Sequence, residues 1–241
     1  MRWSIVFAYL AAVTLVALLL GMLLGWTGWL LLVVVLLMVP AVVFLGISTR
    51  HSVRWSSVLT YLSAFALLGA VISQLMGWPG ARSWFLLSWA VLLLSPVVSL
   101  FSHPMRKPAW GLFVSFWGVV AVLWLIAIQL LNLWDVLLNP AYGEWAAWPL
   151  AVIGISLFVA SASGCGCESV PVPVDVLGMI TGAAIVAISV GIWVGSPELM
   201  RAAGGVAAIA YFLWALGFGW AVWSIQRPAR RFGRMTAQPQ A

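Results

Sequence analysis

The chain has 241 residues, of which 65% are hydrophobic and 7% charged, with a net charge of +6 and a mean hydropathy of +1.14. No soluble domain of this length can hide that much apolar surface, so a bilayer is the expected solvent. The positive charge does not indicate nucleic acid, because the basic residues are scattered between apolar runs and form no single patch.

Lipid leaves two ways to satisfy the backbone, helices or a closed barrel. Barrel strands alternate apolar and polar residues, whereas here the apolar runs are continuous, as in 30–45. The expected fold is therefore all-α, a polytopic transmembrane helix bundle. Eight spans are expected, at roughly 4–24, 29–46, 56–76, 84–102, 111–132, 146–163, 175–194 and 201–224. They form a single transmembrane domain over 1–226, followed by a basic tail over 227–241.

The first span follows Arg2, which gives it the charge of a signal peptide. No small-x-small cleavage pattern follows Leu24, and a near copy of the segment recurs inside the chain, so a retained helix is expected. Arg2-Trp3-Ser4-x-Val6-x-x-Tyr9-Leu10-x-Ala12, closed by Gly25-Trp26-x-Gly28, returns as Arg54-Trp55-Ser56-x-Val58-x-x-Tyr61-Leu62-x-Ala64, closed by Gly77-Trp78-x-Gly80. Matches of Arg, Trp, Tyr and Gly in one register point to a tandem repeat of a two-helix hairpin. The units run approximately over 2–53, 54–108, 109–170 and 171–226. The third keeps Trp110, Gln129 and Trp134 at the positions of Trp55, Gln74 and Trp78, and the fourth keeps only the hairpin pattern.

The second helices of the first two units carry Pro40 and Pro96. Each proline removes a backbone hydrogen bond and is expected to kink its helix. Both units end in His-x-x-Arg, as His51 to Arg54 and His103 to Arg106. These pairs are candidates for a phospholipid headgroup or a partner; the simpler reading is a basic topology signal. Gln74 and Gln129 occupy equivalent places and are expected to hydrogen-bond across helices.

The segment after the sixth span holds Cys165-x-Cys167, the only cysteines. Thiolates at that spacing are candidate ligands for a soft metal, but two are too few to close a zinc site. Small residues in a tight turn are the alternative. No cofactor is identified. In the last hairpin, Gly178-x-x-x-Gly182 and Gly191-x-x-x-Gly195 place small residues on one helix face, as membrane helices do where they pack within a chain or on a partner subunit. Ser196-Pro197-Glu198 reads as a helix start: a cap residue, a proline at the first position and an acid in the first turn.

Of the seventeen tryptophans, most fall at span ends, as in an aromatic belt. Trp89, Trp117, Trp124 and Trp214 lie deeper and are candidates for a flat-ligand pocket, such as one for a quinone. With the N-terminus in the cytoplasm, nine basic residues fall on cytoplasmic flanks and only Arg82 and Arg201 on the opposite side. This predicts both termini inside and a bacterial inner-membrane location. Arg230 and Arg231 in the tail are candidates for anionic lipid or a partner.

No Asp, Glu, Lys or Arg falls in the middle of an expected span, and no hydrolase, metalloprotease or phosphate-loop motif occurs. The functional expectation is a non-enzymatic scaffold or anchor subunit of a membrane complex, in contact with the bilayer and with partner membrane subunits. The alternatives are a carrier or channel for a small neutral or hydrophobic molecule, and a quinone-interacting subunit.

Overall fold

The computed structural model describes residues 53–102, 108–134, 141–164 and 170–225. These form six helices: α1 Val53–Leu75, α2 Pro79–Ser102, α3 Pro108–Leu133, α4 Ala141–Gly164, α5 Val172–Val194 and α6 Pro197–Ile225. All six are long and apolar enough to cross a membrane. The two spans expected before α1, with the first hairpin unit, lie outside the described residues, as does the basic tail.

The helices start three to five residues before the expected spans, at Pro79, Ala141 and Pro197 for example. Hydropathy sees only the stretch that lipid surrounds. The first turns are mixed, as in Pro79-Gly80-Ala81-Arg82 and Ala141-Tyr142-Gly143-Glu144, yet they remain helical. The start of α6 follows the sequence signal, with the Leu199 amide donating to Ser196 Oγ at 3.3 Å and Pro197 opening the helix.

Two turns share one geometry. After α1, Gly77 takes φ 69°, its amide donates to Gln74 O, and the Trp78 amide donates to Ser73 O at 2.8 Å. After α5, Gly195 takes φ 69°, its amide donates to Ile192 O, and the Ser196 amide donates to Gly191 O at 2.9 Å. Both are Schellman caps, in which a glycine in the left-handed region lets the chain reverse while satisfying helix-end carbonyls. Gly195 therefore closes a turn; nothing lies within 4 Å of where its Cβ would stand, so its place is not in a helix contact.

Among the described residues, each helix packs mainly on two others. Neighbours in sequence pair from α1 through α6, and α6 returns to α1, so the six form a closed ring. Small residues set the closest approaches. A Cβ on Gly182 would stand 2.5 Å from Gly154 O and 2.6 Å from Phe158 N, and one on Gly154 would stand 2.7 Å from Gly182 O. The backbones of α4 and α5 are thus in contact. Gly69 of α1 receives the Phe85 ring of α2, Gly191 of α5 receives Met200 of α6, and Gly219 of α6 receives the Tyr61 ring of α1.

Outward faces are apolar, with Ile209 67% and Ile155 53% exposed, as lipid contact requires. Trp78, Trp145, Trp148 and Trp193 are exposed near the end that carries the two glycine turns, and Trp220 and Trp223 near the other. Trp148 and Trp193 lie against each other, ring centroids 4.9 Å apart.

The α4–α5 contact gives a paired prediction. Gly182→Ala pushes a methyl group into backbone atoms that cannot rotate away, and is expected to cost about 2 kcal/mol or more. Gly205→Ala, on α6 with open space at its Cβ position, is expected to be neutral or to stabilise by up to about 1 kcal/mol. Thermal unfolding in detergent, followed by loss of the monodisperse size-exclusion peak, reads both.

Candidate functional site

The ring encloses a cavity of ≈ 540 Å³ to which all six helices contribute. Its depth comes from side-chain size. Tyr211, Trp214 and Phe218 of α6 follow at spacings of three and four, so they share one face and project inward. All three are buried, and Trp214 stacks on Phe218 with ring centroids 5.1 Å apart. One to two turns earlier, the same helix offers only Gly204, Ala207 and Ala208 to the cavity. Gly143 and Ala146 of α4 and Ala70 of α1 line it too. Large residues fill the lower interior, and small ones leave the upper interior open.

The floor is aromatic. Trp89 of α2 and Tyr211 of α6 meet edge to face, with centroids 5.9 Å apart. Tyr211 Oη lies 2.7 Å from Ser63 Oγ of α1, and Ser63 Oγ donates to Thr60 O at 2.7 Å. A serine hydroxyl has one proton, so Tyr211 is the donor in the first bond. That bond ties α6 to α1 at the ring closure.

Apolar walls from Leu67, Leu86, Leu125, Leu150, Ile185 and Ile188 surround the centre. Gln129 of α3 lines the cavity while only 3% exposed. Its Nε2 donates to the Tyr142 hydroxyl of α4, and its Oε1 has no hydrogen-bond partner. Reversing the amide would exchange these roles and still leave one end unpaired. The expected cross-helix bond of Gln129 is present. Gln74 lines the cavity as well, near the exposed end.

The mouth lies at the end with the glycine turns. Arg82 in the first turn of α2 and Arg201 near the start of α6 both line it, with Pro197 and Met200. The starts of α2, α4 and α6 gather at this rim with the positive ends of their dipoles, and the ends of α1 and α5 stand beside them with the negative ends. Among the described residues lining the cavity there is no Asp or Glu. Glu144 and Glu198 occupy first turns of α4 and α6 but stay outside the lining.

Of the residues singled out in the sequence, Gly178 and Gly182 pack α5 against α4 within the chain, and Gly191 packs α5 against α6. A Cβ on Gly178 would overlap Ser161 Oγ and come within 2.9 Å of Trp214 Nε1. Arg54 falls in the first turn of α1. His51, His103, Arg106, Cys165, Cys167, Arg230 and Arg231 lie outside the described residues. Trp89 alone of the deep tryptophans lines the cavity; Trp214 is in the core, and Trp117 and Trp124 are exposed on the outer surface.

Asp175 was not marked by sequence analysis. It sits in the first turn of α5, 6% exposed, with Oδ1 3.2 Å from the Cβ position of Gly164 and Oδ2 unpaired. Ser161, one turn before Gly164, also has a buried and unpaired hydroxyl. The sequence signal was an acid after Pro171-x-Pro173, but only the α4 packing buries it. No protein family, curated protein or solved structure matches this chain.

The Gln129–Tyr142 pair predicts an asymmetry. Tyr142→Phe strands a buried amide and is expected to cost about 1–3 kcal/mol, whereas Gln129→Leu removes the buried polar group and leaves the half-buried Tyr142 hydroxyl free to reach water, at less than about 1 kcal/mol. The difference in melting temperature between the two variants checks it.

Proposed function

We propose that the protein is a multi-pass membrane protein that takes a small, largely hydrophobic molecule into the cavity between its six helices, as the binding site of a carrier. One observation carries this reading: a cavity of ≈ 540 Å³ with apolar walls, one unpaired buried amide and a charged rim. Ligand cavities typically span about 300–1,000 Å³ and combine apolar walls with a few placed polar groups. If the termini face the cytoplasm, as the charge bias expects, the mouth opens toward the opposite side.

The scaffold reading rested partly on the small-residue faces of the last hairpin. Gly178, Gly182 and Gly191 make contacts within the chain, so those three glycines do not favour it. The quinone reading asked for several tryptophans around one pocket, and it keeps only Trp89.

Gly204→Phe provides the test. Nothing lies within 4 Å of the Gly204 Cβ position, and the residue lines the cavity, so a phenyl ring there fills the space without moving backbone. Wild-type protein purified in mild detergent is expected to retain a small apolar molecule near one equivalent, read by mass spectrometry of its organic extract. The filled variant is expected to retain less than about a tenth of it at unchanged or raised stability. Identical extracts from the two proteins would overturn the reading.

A further inference from the structure

We infer that the molecule held in this cavity carries an anionic head, a phosphate or carboxylate, which Arg82 and Arg201 grip at the rim while its apolar chain lies against the leucine and isoleucine walls. The inference rests on the carrier reading and specifies its ligand. Arg82 and Arg201 enter the ring from α2 and α6, and both line the one mouth. As topology signals alone, they need only stand at a membrane flank, on any face of any helix. Their convergence on a cavity asks for a partner between them.

The electrostatics of the rim agree in sign. The described lining carries these two cations and no carboxylate. The starts of α2, α4 and α6 stand there beside the ends of α1 and α5, so the helix dipoles largely offset one another and the two guanidinium groups supply the field. Guanidinium groups grip phosphate or carboxylate through paired, charge-assisted hydrogen bonds. Lower down, the buried Gln129 amide has an unpaired end; with its oxygen turned to accept from the Tyr142 hydroxyl, its Nε2 is the donor left for an oxygen of the head or of the first linkage of the chain. Below it the walls turn apolar as far as Trp89 and Tyr211. The order from mouth to floor is cationic, polar, apolar, which is the reverse image of an anionic amphiphile.

The probes are decyl phosphate, decanol and inorganic phosphate, each titrated below micelle-forming concentration into the purified full-length protein. Decyl phosphate is expected to bind saturably and at least about tenfold more tightly than decanol, with an affinity that falls as salt rises. Arg82→Gln and Arg201→Gln are each expected to weaken decyl phosphate about tenfold and to leave decanol within about twofold. Both arginines are exposed, so their replacement is not expected to disturb folding. Equal affinity for decyl phosphate and decanol, with both lost in Gly204→Phe, overturns the anionic head while the cavity reading stands. If neither amphiphile is displaced by filling the cavity, the carrier reading itself fails. If inorganic phosphate binds as tightly as decyl phosphate and is lost in the same arginine variants, the ligand is a free anion and the amphiphile is wrong.

Discussion

Closure of the helix ring through α1 and α6 is the contact on which the cavity depends. The other five helix pairings join neighbours in sequence, which short connections already hold together. Only α1 and α6 must find each other across most of the described chain. In lipid there is no hydrophobic drive between helices, so close packing and hydrogen bonds decide the pairing. Here both are present. Gly219 admits the Tyr61 ring, and Tyr211 donates to Ser63 across the seam. A membrane hydrogen bond of this kind contributes about 0.6 kcal/mol on average, so the seam leans on shape as much as on polarity. Without it the six helices would form an open sheet of hairpins, and the residues now facing the cavity would face lipid.

The cavity also needs the tight contacts elsewhere. Backbone contact between α4 and α5 at Gly154 and Gly182 holds two walls rigid. Rigid walls stop the bundle from collapsing where Gly204, Ala207, Ala208 and Ala146 leave space. The same residue type thus does two opposite things. Glycine facing backbone draws helices together, and glycine facing the interior leaves a void. Pro96 and Pro149 lie inside α2 and α4, which flank α3 in the ring.

The described structure follows the sequence closely at the level of elements. Six of the expected spans are helices, and the Ser196 cap and the proline start of α6 are where local chemistry places them. The site was only half visible. Gln129 stood out as a polar residue in an apolar run, and the Gln129–Tyr142 bond fits the expectation of a cross-helix contact. Arg82 and Arg201 were legible as flank charges and not as partners, because charge counting ignores which way a side chain points. Gly195 carried the spacing of a packing motif and serves as a turn. Asp175 was an ordinary first-turn acid until α4 covered it.

What the sequence determined by itself is local: the solvent, the helical state, the approximate ends of each described span and the turn at Gly77. Each follows from residues within a few positions of one another, through hydropathy, capping and the φ that glycine permits. What only the tertiary structure decided is which faces look inward. Rotation of a helix about its axis is set by its neighbours, and in an evenly apolar helix no hydrophobic stripe records it in advance. The cavity, its two arginines and the burial of Asp175 all depend on that rotation, so none of them was written in any single segment.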